Sequence, residues 1–118
     1  QVMTIETDLM TALGALVEGR MYPDTAPLET PYPFVTYQQV GGVTPYTMAG
    51  KPDGSNARIQ INAWAVTREQ ANTLMHAIET IAAADPFRAV PIGALVAEYN
   101  AATKGRGARQ DFSFWFRP

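Results

Sequence analysis

Between Ala57 and Ala82 the hydrophobic period of the chain changes from two to about 3.6 at a single residue. In residues 58–65, Ile59, Ile61, Ala63 and Ala65 share one side of an extended chain, and Arg58, Gln60, Asn62 and Trp64 share the other. That alternation is the pattern of a half-buried strand. Thr67 follows, with Gln70 three residues later in the Thr-x-x-Gln pattern of a capping box. Beyond it Ala71, Leu74, Met75, Ile78 and Ala82 return on one helical face. The spacing predicts a strand over 57–66 and a helix over 68–83, stopped before Asp85-Pro86.

Ile5, Leu9, Ala12, Leu13 and Leu16 form a second helical stripe. With Thr4 as N-cap, Glu6 and Asp8 at the positive helix end and Gly19 past the last turn, they predict a helix over 4–18. Pro23, Pro27, Pro31 and Pro33 exclude regular helix from the following segment and predict an extended surface crossing over 22–33. Phe34 to Val40 is rich in strand formers and predicts a strand. Residues 41–56 are broken by Gly41-Gly42, Pro45, Gly50 and Pro52-Asp53-Gly54. They predict a mobile loop with a turn at 52–54 and room for a short strand near 43–48.

Residues 94–101 and 108–116 read as two strands joined by a turn at 103–105. In the second of these, Phe112, Phe114 and Phe116 point one way, and Ser113 and Trp115 the other. The order helix, strand, strand, helix, strand, strand, with the optional short strand near 43–48 after the first strand, predicts a single α+β domain spanning residues 1–118. Its expected form is a mostly antiparallel sheet of four to five strands with two helices packed on one face. The expected core is Leu9, Leu16, Ile59, Ile61, Leu74, Ile78, Phe112 and Phe114.

At 118 residues the chain can bury a core without staples, and it has no cysteine, so disulfide and thiolate chemistry are excluded. Its charged fraction of 17% is below the usual value of about 25%, as expected of a surface partly covered by partners. The formal net charge of −2 argues against a general binder of nucleic acid or anionic membrane. Lys104, Arg106, Arg109 and Arg117 gather near the end of the chain, where the expected role is a charged strand edge that discourages edge-to-edge pairing. Incidental contact with DNA is the other use of such a cluster. No apolar run approaches the ~20 residues of a membrane span, and no signal-peptide pattern opens the chain.

Candidate chemistry is sparse. His76, the single histidine, falls off the apolar stripe of its helix with no evident metal or base partner. Neither Ser55 nor Ser113 sits in the context of a catalytic nucleophile. Gly105-Arg106-Gly107 lacks the following helix of a phosphate cradle, and a hairpin turn accounts for its glycines. Asp53-Gly54-Ser55-Asn56 lacks the later glutamate of a calcium loop. The expectation is a chain with no catalytic, cofactor-binding or metal site. What stands out instead is Trp64 and Trp115, both directed away from the expected core row, an aromatic patch suited to a protein partner unless one of them caps the sheet edge or is covered by the proline-rich crossing or the 41–56 loop.

The series Arg20-Met21-Tyr22-Pro23-Asp24, Pro31-Tyr32-Pro33-Phe34-Val35-Thr36-Tyr37, Arg58-Ile59-Gln60-Ile61-Asn62-Ala63-Trp64-Ala65 and Asp111-Phe112-Ser113-Phe114-Trp115 resembles the small tail-completion proteins of tailed bacteriophages and prophages. The resemblance runs over nearly the whole chain and is specific in combination and order. It implies a non-enzymatic virion component at the head–tail junction, made in the host bacterial cytoplasm. Such a protein would form a ring, of hexameric type, that ends tail-tube growth and docks to the head connector. Interface candidates on this reading are Trp64, Trp115 and Gln60 on the sheet face, with Tyr46 and Met48 in the 41–56 loop. The alternative is a small ligand-binding or regulatory α+β domain with a pocket lined by Tyr37, Tyr46 and Met48.

Overall fold

The switch of period at Thr67 is the hinge of the fold. In the computed structural model, β3 (Ser55–Ala65) runs into α2 (Arg68–Ala83), and Thr67 caps the helix by accepting the Gln70 backbone N–H on its side-chain oxygen at 3.1 Å. The other elements are α1 (Ile5–Gly14) with a 3-10 turn at Ala15–Val17, β1 (Met21–Pro23), β2 (Phe34–Gly41), β4 (Val90–Asn100) and β5 (Gly105–Phe116). The structure describes residues 5–27, 29–41, 55–84, 87–101 and 104–116, and side chains 5–7, 55–56 and 115–116 lie outside that description.

The five strands form one sheet in the order β1-β2-β3-β5-β4. β1 runs parallel to β2, and the other three pairs are antiparallel. The fold is therefore α+β, with α2 lying along β3 and β5, and α1 against α2 and β1. Ile59, Ile61 and Ala63 from β3 and Ala108, Phe112 and Phe114 from β5 are all buried under the helices. Leu9, Leu13, Ala71, Met75 and Ile78 close the core from above. Six of the eight expected core residues are fully buried, whereas Leu16 and Leu74 are partly buried at its margin.

Several expectations need correction. The first helix stops at Gly14, because Glu18 and Gly19 take left-handed conformations (φ 52° and 82°) and the Gly19 N–H caps Gly14 at 2.7 Å. The proline-rich crossing begins with a strand, β1, which the Arg20 carbonyl anchors by accepting the Val35 N–H at 2.9 Å. Both C-terminal strands are longer than expected, and Gly105 and Gly107 lie inside β5 instead of in its turn. β5 is an interior strand, so Arg106 and Arg109 do not guard an edge. The exposed edge is β4, which carries no cation. The short strand near 43–48 and the turn at 52–54 fall outside the described residues.

Candidate interaction surface

The face of the sheet opposite the helices is built by strand alternation. Phe34, Thr36 and Gln38 of β2 sit beside Trp64, Asn62 and Gln60 of β3 in antiparallel register. Across β3, Trp64 faces Gly107 and Asn62 faces Arg109. Glu98 of β4 also pairs in register with Gly107, and Asn100 pairs with Gly105. An indole needs room beside a neighbouring strand, and a glycine supplies it. A Cβ added at Gly107 would meet the Trp64 ring at 2.8 Å, and the Tyr32 ring likewise occupies the space over Gly105. Tyr32 stacks on Phe34 with ring centres 5.4 Å apart, and Phe34 on Trp64 at 6.5 Å. Three aromatic rings thus make a row across the open face, worth about 0.5–1.5 kcal/mol per stacked pair beyond area.

That row forms one wall of a groove of about 540 Å³. Its floor carries Thr36, Gln38, Gln60 and Asn62, its far side Glu98 and Asn100, and its rim the crossing from Asp24 to Thr30. Asp24 and Glu29 hold left-handed backbone conformations (φ 64° and 63°), which side chains other than glycine seldom adopt. Two ion pairs cross the same face, Arg58–Asp111 at 2.7 Å and the looser Arg109–Glu98 at 3.6 Å. The Glu98 Oε1 is buried with no hydrogen-bond partner.

Of the interface candidates read from the sequence, Gln60 and Trp64 stand together in this groove, both half-buried. Trp115 lies on β5 opposite Asn56, with its side chain outside the described residues, as are Tyr46 and Met48. Phe34 of β2 stacks on Trp64, and Tyr32 at the end of the crossing stacks on Phe34. Tyr37, offered above as a pocket residue, is buried in the core beside Ile61, and its proposed companions Tyr46 and Met48 lie outside the described residues. A second groove of about 510 Å³ lies on the helix side, between Tyr32-Pro33 and the α2 residues Gln70 and Leu74. His76 is exposed as expected but does have a carboxylate neighbour, Glu79, at 3.7 Å. Such an exposed pair contributes little.

The sequence reading missed Tyr32, Phe34, Asp24, Glu29 and Glu98. For Phe34 the signal was partial: it opens a run of strand formers, but its place beside Trp64 comes only with the register against β3. Among the described residues no group of three His, Cys, Asp or Glu side chains is placed to hold a metal ion, and no helix is long and apolar enough to cross a membrane.

A five-stranded sheet with a layer of two helices on one face and an aromatic-walled groove on the other defines a small α+β domain. The chain belongs to the tail completion protein gp17 family, whose profile matches residues 7–117. Its fold is also similar to that of a chain in the virion of a native gene transfer agent particle. The two share 17% identity and a TM-score of 0.61, over 90% of this chain and 84% of the other. Comparison with curated proteins finds no match. The role of the chain is structural, in the tail of a phage-like particle.

Proposed function

We propose that the chain acts at the head–tail junction as a ring that completes the tail and docks to the head connector, with no enzymatic step. Tail-tube and connector proteins are its partners, and the assembly takes place in the host bacterial cytoplasm. The observation that carries this reading is the aromatic groove on the open sheet face. A half-buried tryptophan stacked in a row on a face that no helix among the described residues covers is the kind of rigid anchor that dominates protein interfaces. A closed ring of one chain type needs two different surfaces on each subunit, and the open face supplies one of them.

The test is complementation of a producer lacking this chain. Trp64→Ala and Trp115→Ala variants are expected to fold and yet leave heads and tails unjoined, or tails of uncontrolled length. Truncation of a buried interface tryptophan commonly costs about 2 kcal/mol or more, enough to open a marginal ring. Normal particles from the Trp64→Ala chain would remove the open face from the assembly. Unfolding of that variant would make the indole a core residue.

A further inference from the structure

We propose that the groove on the open face receives an extended segment of another protein of the particle, one that carries two lysine or arginine side chains an even number of residues apart. The proposal rests on the reading of the open face as an assembly surface, and it names what fills the groove within that face.

The groove carries charge of one sign at both ends. Asp24 and Glu29 stand at its rim and Glu98 on its far side, and no lysine or arginine among the described residues lines it. The Glu98 carboxylate keeps spare acceptor capacity, since Arg109 approaches its Oε2 only to 3.6 Å and its buried Oε1 has no hydrogen-bond partner. A carboxylate oxygen shielded from water without a donor is costly, and an incoming cation offsets that cost. Trp64 stands next to this carboxylate. Its indole lies over Gly107, which pairs with Trp64 on one side and with Glu98 on the other. A guanidinium or ammonium that reaches Glu98 can therefore also gain from the ring quadrupole.

Strand order sets the spacing of the two cations. Asp24 flanks β2, where its N–H donates to the Tyr37 carbonyl at 2.8 Å, and Glu98 lies on β4, with β3 and β5 between. Three to four strand spacings of about 4.8 Å separate the two ends, about 14–19 Å in all. An extended segment covers that length in about four to six residues, and its side chains alternate between faces. Both cations point into the groove only at an even separation. Side chains between them lie along the row Tyr32, Phe34 and Trp64. The floor amides of Gln38, Gln60 and Asn62 offer donors and acceptors to a peptide backbone. The occupant comes from another protein, because no strand among the described residues keeps two free cations. Arg58 pairs with Asp111, Arg109 with Glu98, and Arg106 lies 4.2 Å from the centre of the Tyr99 ring. A volume of about 540 Å³ suits such a segment better than a folded domain.

The probes are short capped peptides of serine, leucine and two arginines, equal in composition, with the arginines about four, five or six residues apart. Each is titrated into the purified full chain by calorimetry, and the indole N–H signal of Trp64 reports the site. Separations of four or six are expected to bind at least about fivefold more tightly than five, and a peptide with glutamate in place of arginine not at all. Glu98→Gln, and Asp24→Asn with Glu29→Gln, should each weaken binding at least about threefold, with thermal melting as the check on folding. Absence of binding, no preference for the even separations, or unchanged affinity in the neutralised chains overturns the proposal. In a complemented producer, the chain with all three carboxylates neutralised is expected to lower particle titre at least about tenfold. Normal titre from that chain, beside failure of Trp64→Ala, overturns the proposal and leaves the open face as an assembly surface. Normal titre from both removes that reading as well. Self-association of the purified chain that neutralisation abolishes, seen by sedimentation, would make the occupant a second copy and overturn the proposal.

Discussion

At the scale of single residues, the open face depends on what two glycines omit. Gly107 lies in the middle of the sheet, where glycine ordinarily weakens a strand, yet a Cβ there would meet the Trp64 ring at 2.8 Å. Replacing Gly107 by alanine is expected to displace the indole and destabilise the fold by about 1–3 kcal/mol. In a Trp64→Ala background the same change should cost nothing or stabilise. Chemical denaturation of the four chains of this double-mutant cycle gives the coupling, and additivity within about 0.5 kcal/mol would separate the two positions. Glu29 makes the opposite case. Its left-handed backbone favours glycine, so Glu29→Gly is expected to raise stability by about 0.5–1 kcal/mol in the same measurement. Residue-scale features of this kind were the least legible in the sequence. Gly105 and Gly107 read as turn residues because glycine marks a tight turn and a close ring contact with the same letter. Only the register Trp64↔Gly107, a pairing between distant segments, tells the two uses apart.

At the scale of elements, legibility followed length and periodicity. The helix over 68–83 was readable to the residue because a cap, a stripe and a following proline agree. The phase of β3 was equally clear, since Ile59, Ile61 and Ala63 face the core at 0% exposure. Ile61→Ala is accordingly expected to cost about 2–5 kcal/mol, and a loss below about 0.5 kcal/mol would contradict that phase. The three-residue β1 left no period to detect, and its parallel pairing with β2 rests on backbone register instead of a side-chain pattern. β4 posed another problem, because a shift of register between Ile92 and Val96, a local bulging of the strand, breaks its alternation. Gln110 stabilises that bulge from the buried side of β5. Its amide donates to the carbonyls of Ile92 at 3.1 Å and Gly93 at 3.0 Å. Gln110→Leu leaves both carbonyls without that donor, and the expected cost is about 1–3 kcal/mol. Amide exchange over 92–97 should accelerate more than exchange in β3, and uniform acceleration across the sheet would show that Gln110 acts only through bulk stability.

At the scale of the whole molecule, the groove belongs to no single segment. The crossing supplies its rim, β2 and β3 its floor and β4 its far wall, and their assembly depends on a strand order that places β5 between β3 and β4. That Gln60 and Trp64 share one side of a strand was legible from alternation, while the Asp24–Glu29 rim and the Glu98 wall came only with topology. The same consideration fixes how a damaged copy behaves in a ring. If the chain closes a ring through the open face and one other surface, a Trp64→Ala chain loses the first and keeps the second, so it joins a growing ring at one side and fails at the other. It should therefore poison wild-type chains instead of being ignored by them. If the ring has six places and one defective junction disables it, the intact fraction falls as the sixth power of the wild-type share, to roughly 1 in 64 at equal expression. The measurement is particle titre against the ratio of the two chains, varied by induction. A slope near six on logarithmic axes supports a hexameric head-to-tail ring. A slope near one would mean that each copy acts alone, and no decline beyond dilution would mean that the variant never enters the ring, so that its groove is needed for the first contact as well as the last.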